Sequence, residues 1–209
     1  MERSPLCAVL RPPDLAWAQV ALAQLEACGV RHVEIAWRPD DPSWVPQARQ
    51  LRQAFPSLAF GAASACSPAA LQAAVAAGFG YAVSPVLDPA LLEQALSSGL
   101  LLVPGVMTPS EVHRARSLGC ALVKLFPAAA LGIDYWRQLR QPLGEPLPRC
   151  LAAGGLEVAA ALDWLAAGVD AVALGSALVR DRDGLPVLDA NLPGLMAALA
   201  RRSAVDATA

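Results

Sequence analysis

The stretch Cys120-Ala-Leu-Val-Lys-Leu-Phe-Pro127 contains Lys124, the only lysine among the sixteen basic residues of this 209-residue chain; the other fifteen are arginine. Leu122, Val123, Leu125 and Phe126 surround it, so this is a single amine in a short apolar strand. Two outcomes fit such a position. The side-chain stem can snorkel and deliver an ammonium to water at a strand end. Alternatively the amine is desolvated and attacks a carbonyl carbon as a Schiff-base former. A free lysine, with a pKa of about 10.4, is almost wholly protonated near pH 7 and has no lone pair to offer. Burial disfavours its charged form, and a nearby cation does so further. Schiff-base chemistry also needs a carboxylate, an anion clamp and a scaffold that brings them together.

Glu34 is the candidate carboxylate. It lies inside His32-Val-Glu-Ile-Ala-Trp37, a second apolar strand, where side-chain alternation puts Glu34, Ala36 and Arg38 on one face. A buried glutamate costs several kcal/mol unless it is paired or protonated. It is therefore either the partner of Arg11 or Arg38 in a structural ion pair, or a general acid/base with a raised pKa. Arg38, at the strand tip, either clamps a substrate carboxylate or is a loop arginine held by Asp40 or Asp41. Gly154-Gly155 precedes a helix expected over Glu157–Ala166, and Gly175-Ser176 precedes a helical stretch expected over Ala177–Arg180. Glycines there let main-chain N–H groups approach an anion, and helix N-termini favour negative charge.

The elements that must position these residues follow a repeat. A helical segment ends in glycine and a short apolar strand begins, at Gly29, Gly78, Gly99, Gly119 and Gly168, spaced by 49, 21, 20 and 49 residues. Each glycine fits the position just past a helix, where positive φ is favoured. The two long gaps each hold one more strand, Leu58–Ala62 and Arg149–Ala153, and Leu6–Leu10 opens the series. With Val30–Ala36, Tyr81–Val83, Leu100–Val103, Cys120–Leu125 and Asp170–Leu174 this makes eight strands, alternating with eight helices. The pattern predicts a single-domain α/β fold spanning residues 1–209, a parallel (β/α)8 TIM barrel with a frayed tail at 203–209. An open doubly wound sheet would want a dinucleotide fingerprint after the first strand, and Ala8-Val-Leu-Arg-Pro-Pro13 is not one. In a barrel, chemistry gathers where strands end. Arg11, Glu34 with Arg38, Ser64, Ser84-Pro85, Pro104-Gly105, Lys124 and both glycine pairs all fall there.

Composition narrows the function. Hydrophobic residues make up 56 % of the chain and charged ones 16 %, with a net charge of −2, so neither nucleic acid nor an acidic membrane is an expected partner. Every apolar run is interrupted before the roughly 18 residues a membrane span needs. The opening Met-Glu-Arg-Ser-Pro leads straight toward a strand, so a cytoplasmic protein is expected. Five cysteines without CxxC spacing read as reduced core residues, and two isolated histidines make a metal site unexpected.

Val123-Lys-Leu-Phe-Pro-Ala128, Val33-Glu-Ile-Ala-Trp-Arg38, Ala8-Val-Leu-Arg11, Ser84-Pro85, Pro104-Gly105 and the two terminal glycine motifs together resemble the 2-keto-3-deoxy-6-phosphogluconate (KDPG) / 4-hydroxy-2-oxoglutarate (KHG) aldolase family. The resemblance runs in order over about residues 6–180. It implies a class I, metal-independent lyase without cofactor, a homotrimer that cleaves a 2-oxo acid, in the phosphorylated case within the Entner–Doudoroff pathway. It puts the Schiff-base lysine on Lys124 and the general acid/base on Glu34. Arg38 and Ser64 become pyruvyl-carboxylate contacts, and Gly154, Gly155, Gly175 and Ser176 a phosphate site. Arg11 and Pro85 join them as substrate contacts. Two positions differ. Gly61-Ala-Ala-Ser64 stands where the family has Gly-Ala-Gly-Thr, which keeps a hydroxyl but gives Ala63 less backbone freedom. Ala153 stands where phosphogluconate-type enzymes carry threonine, leaving the stereochemical preference open. Oxaloacetate decarboxylation through the same iminium, a phosphate-barrel epimerase or synthase, and a non-catalytic metabolite-binding barrel are the rivals.

Overall fold

A computed structural model describes residues 4–206. Nine parallel strands form one sheet. In chain order they are β1 (Leu6–Leu10), β2 (His32–Ala36), β3 (Ala59–Ala63), β4 (Tyr81–Val83), β5 (Leu101–Val103), β6 (Gly105–Val106), β7 (Leu122–Leu125), β8 (Arg149–Ala153) and β9 (Ala171–Leu174). Nine strands make eight staves, because β5 and β6 are halves of one stave broken at Pro104. Proline has no N–H to donate to the ladder, so the pairing changes partner there. β5 pairs with β4 on one side and β6 with β7 on the other, while β9 pairs with β1. The Pro104 carbonyl still accepts from the N–H of Lys124 at 2.8 Å, which seals the seam beside the lysine. The expected (β/α)8 barrel is the fold.

Helices fill the crossovers: α1 (Leu15–Ala27), α2 (Trp44–Ala54), α3 (Pro68–Ala77), α4 (Pro89–Ser97), α5 (Pro109–Ser117), α6 (Ala128–Leu131), α7 (Tyr135–Leu143), α8 (Ala161–Ala166) and α9 (Leu192–Asp206). Their starts are written locally. Proline opens α3, α4 and α5 behind Ser67, Asp88 and Thr108, whose side chains accept from first-turn N–H groups. The five punctuating glycines all have positive φ, from 69° at Gly99 to 100° at Gly168. Alternation along the strands then splits the core. On β1, Leu6, Ala8 and Leu10 pack outward against helices, while Cys7 and Val9 face a smaller interior cluster with Leu151, Ala153, Ala171 and Ala173. Small side chains inside the barrel leave room for large polar ones.

Three expectations about elements are corrected. The seventh helix does not run unbroken from Glu157: a 3-10 turn over Val158–Ala160 precedes α8. Ala177–Arg180 is not helical. After a turn, β10 (Val179–Arg182) and β11 (Leu185–Leu188) form an antiparallel hairpin closed by Asp183-Gly184, both at positive φ. α9 continues to Asp206, past the expected start of a tail at Ser203, and residues 207–209 lie outside the described residues. Among the described residues, no helix is long and apolar enough to cross a membrane.

Candidate active site

A cavity of about 560 Å³ opens at the C-terminal ends of β1, β7, β8 and β9. Lys124, Phe126, Arg11, Gly154, Gly155, Gly175 and Ser176 all line it. Phe126 follows the last residue of β7, but its N–H still donates to the Val106 carbonyl at 3.0 Å, so the alternation carries it to the face of Lys124, whose Nζ sits 4.7 Å from the Phe126 ring centroid. The lysine is 9 % exposed. Burial pulls its pKa down from the usual lysine range; the Glu34 charge opposes that shift and the Arg11 charge adds to it. The amine borders the cavity from a desolvated position, and snorkelling to open solvent is not what the strand achieves.

Glu34 lies fully buried on β2 and does not line the cavity. Burial raises its pKa, against the opposing influence of Lys124, a thiol hydrogen bond from Cys7, and Arg11. Neither Arg11 nor Arg38 forms an ion pair with it among the described residues. Its partner is the Cys7 Sγ, 3.3 Å from Oε1, while Oε2 has no hydrogen-bond partner. Burial thus shifts both the carboxyl and the amine toward their neutral forms, and the charge of each opposes the shift of the other.

The glycine tips have a packing reason as well as room for a ligand. A Cβ at Gly154, whose φ is +94°, would sit 2.8 Å from the Phe126 ring, and one at Gly155 2.9 Å from the Ala129 Cβ. The turn after the lysine strand thus demands bare backbone at the tip of β8. Arg11 reaches over the next tip: its Nη1 lies 4.0 Å from where a Cβ on Gly175 would be.

Arg38, Ser64 and Pro85 are not brought to this cavity. β2 ends at Ala36, so alternation no longer directs Arg38 inward. Its guanidinium instead donates to the Pro12 and Pro13 carbonyls at 3.2 and 3.4 Å and pairs with Asp41 at 2.6 Å. Ser64 follows β3 at φ +61°, a left-handed conformation that is uncommon for a residue other than glycine. That conformation falls on Ser64, while Ala63 stays buried in β3. Pro85 backs the seam: a Cβ on Gly105 would meet its carbonyl at 2.2 Å. Cys66 is exposed, against the expectation that the cysteines are core residues, whereas Cys7 and Cys150 are buried.

Sequence reasoning missed Cys7 and Tyr81 beneath the site, and Glu157, Arg180 and Asp181 on its rim. Strand alternation alone could have placed Cys7 and Tyr81 inside. Arg180 and Asp181 depend on the hairpin, which their charge pattern conceals, and Glu157 on the turn that precedes α8. Among the described residues no group of three or more His, Cys, Asp and Glu side chains is placed to hold a metal ion.

Comparison with known proteins agrees with this arrangement. The chain is 30 % identical over 180 residues to a probable 2-dehydro-3-deoxy-6-phosphogalactonate aldolase of Rhizobium meliloti, covering 86 % of this chain and 84 % of the relative. It is 31 % identical over 186 residues to the 2-dehydro-3-deoxy-phosphogluconate aldolase of Dickeya dadantii, covering 88 % and 84 %. The crystal structure of KDPG aldolase from Legionella pneumophila, with pyruvate captured as a covalent carbinolamine intermediate, superposes with a TM-score of 0.74 at 25 % identity over 97 % of this chain and 95 % of that one. The family model described as KDPG and KHG aldolase matches residues 1–184. A barrel with a lone buried lysine at its C-terminal mouth, matched over that span, belongs to the KDPG and KHG aldolase family.

Proposed function

We propose that this aldolase works through Lys124 as the Schiff-base amine and Glu34 as the general acid/base, on a 2-oxo acid such as 2-keto-3-deoxy-6-phosphogluconate or 4-hydroxy-2-oxoglutarate. One observation carries the proposal: the only lysine is buried beside the cavity, with its pKa lowered, close enough to a buried carboxyl for each to shift the other. The carbinolamine described for the Legionella aldolase supports the same chemistry here.

The neutral amine adds to the C2 carbonyl, and loss of water gives an iminium. The Glu34 carboxylate, directly or through a water, takes the C4 hydroxyl proton. The C3–C4 bond breaks, its electron pair enters the C2=N bond as an enamine, and the C4 fragment leaves as an aldehyde. That aldehyde is glyceraldehyde 3-phosphate from the phosphorylated substrate and glyoxylate from the unphosphorylated one. Protonation at C3 and hydrolysis release pyruvate and restore the amine. Arg11 attracts a substrate anion into the cavity. Bare backbone at Gly154, Gly155 and Gly175, together with Ser176 and Arg180, receives the far end of the substrate. Arg38, held by the Pro12 and Pro13 carbonyls and Asp41, would have to leave that pairing to clamp the substrate carboxylate. The enzyme needs no metal or cofactor and acts as a cytoplasmic homotrimer.

A second assignment has an observation of its own. Glu157 and Asp181 line the same rim as Arg11 and Arg180, so a dianionic phosphate meets both signs of charge. This favours a compact unphosphorylated acid, 4-hydroxy-2-oxoglutarate or oxaloacetate, the latter losing CO2 through the same iminium. Comparing kcat/KM for KDPG, its galactonate epimer, 4-hydroxy-2-oxoglutarate and oxaloacetate decides between them. A ratio above about tenfold for either phosphorylated acid supports phosphate recognition, a difference of roughly 1.4 kcal/mol in transition-state binding. The reverse ratio supports the compact acid.

A further inference from the structure

We propose that Cys7 and Tyr81 are positioning residues for Glu34: a thiol on β1 and a phenol on β4 tie down one carboxyl oxygen and leave the other to exchange protons at the reacting centre. The inference rests on the Schiff-base proposal above and adds two residues that proposal does not use. The Cys7 Sγ lies 3.3 Å from Glu34 Oε1 and 3.7 Å from the Tyr81 hydroxyl oxygen. The Tyr81 hydroxyl donates to the carbonyl of Val33, the residue before Glu34, at 3.0 Å. Cys7 and Glu34 are fully buried and Tyr81 nearly so. With the phenol hydrogen committed to Val33, the single thiol hydrogen has two acceptors, Oε1 and the phenol oxygen. An ionised carboxylate is the stronger acceptor. Oε2 is left without a partner.

The barrel has made room for this cluster. Tyr81 starts on β4 and must cross β3 to reach β2. It does so over Gly61, where a Cβ would stand 2.2 Å from the ring. Any side chain at Gly61 would displace the phenol. Cys7 otherwise faces Leu151, Ala153, Ala171 and Ala173, an apolar setting in which valine would pack as well and donate nothing.

The groups that act on Glu34 are Lys124 from β7, Arg11 from the end of β1, and the Cys7 thiol; Tyr81, from β4, acts through that thiol. Lys124, Arg11 and the thiol hydrogen favour the carboxylate, and burial opposes them. Removing the thiol hydrogen raises the pH at which Glu34 loses its proton. Protonated Glu34 cannot take the C4 hydroxyl proton, so the acid limb of kcat moves to higher pH. Removing the phenol oxygen leaves the thiol hydrogen to Oε1 alone and moves that limb the other way.

The test is the kcat–pH profile of the full-length enzyme as wild type, Cys7→Ala, Cys7→Ser and Tyr81→Phe, with pyruvate and borohydride trapping run on each. In Cys7→Ala the acid limb rises by about half a pH unit or more and kcat falls several-fold with KM little changed. Cys7→Ser, which restores a donor, brings the limb back to or below its wild-type position. Tyr81→Phe lowers it, and, since this change removes one oxygen and opens no large cavity, it carries the test should Cys7→Ala fail to fold. A limb that stays put in the variants while trapping persists, with only the melting temperature lowered, overturns the inference and leaves the Schiff-base proposal intact. A wild type that gives no adduct overturns both.

Discussion

A lysine in an apolar interior is a stability liability held for its chemistry. Lys124 loses hydration on folding, and its partner Glu34 is fully buried with one oxygen unpaired. Replacing the amine by an uncharged stem of similar length removes the desolvation cost. Lys124→Met is therefore expected to lose at least about a thousandfold in kcat while keeping or raising the melting temperature, as active-site replacements often do. A drop of several degrees by calorimetry contradicts this and marks the lysine as structural. Glu34 adds a pH signature. Its folded pKa is raised, so its contribution to stability is full below the unfolded carboxylate pKa and is lost as pH rises through the folded value. Between about pH 4.3 and neutrality, the wild-type melting temperature should fall more steeply with pH than that of Glu34→Gln. Parallel curves contradict the shift. Both residues stood out in the sequence because a charged side chain among β-branched and aromatic neighbours is itself a signal. For Cys7 and Tyr81 alternation indicates an inward face but no role, since each passes for an ordinary core residue until the topology lays β1 beside β2 and carries β4 across β3.

At the scale of elements, two glycines hold the site's geometry in different ways. A Cβ at Gly61 meets the Tyr81 ring, a side chain that can be trimmed; one at Gly105 meets the Pro85 main chain, which cannot. Gly61→Ala is expected to cost about 1–3 kcal/mol in urea unfolding, most of it recovered in the double variant with Tyr81→Leu. Gly105→Ala has no such rescue, and the barrel seam beside Lys124 should open or fail to fold. Equal behaviour at the two sites in a double-mutant cycle would contradict this assignment. The strand and helix series was legible because five glycines with positive φ mark where helices stop. The β10–β11 hairpin was not, because Val179-Arg-Asp-Arg182 lacks the β-branched run that signals a strand and is stabilised by its cross-strand partner. Of the two readings of Arg38, the structure shows the loop arginine paired with Asp41: alternation holds only while the strand lasts, and β2 stops two residues earlier.

At the scale of the whole molecule, the barrel exposes large apolar side chains away from the cavity, with Leu96 at 82 % and Leu101 at 54 % exposure beside an apolar groove that also includes Leu118. Such a surface fits the proposed trimer, in which copies cover one another. Sedimentation of the 21.7 kDa chain should give three times that mass, and Leu96→Arg with Leu101→Asp should shift it toward monomer. A monomeric wild type contradicts the assembly without touching the chemistry. The chemistry is tested most directly by reducing the enzyme with borohydride in the presence of pyruvate and locating the added mass by peptide mapping. A single reduced pyruvyl adduct on Lys124, absent from Lys124→Met, is the predicted result. An active enzyme with no adduct, or with the adduct on another amine, contradicts the account.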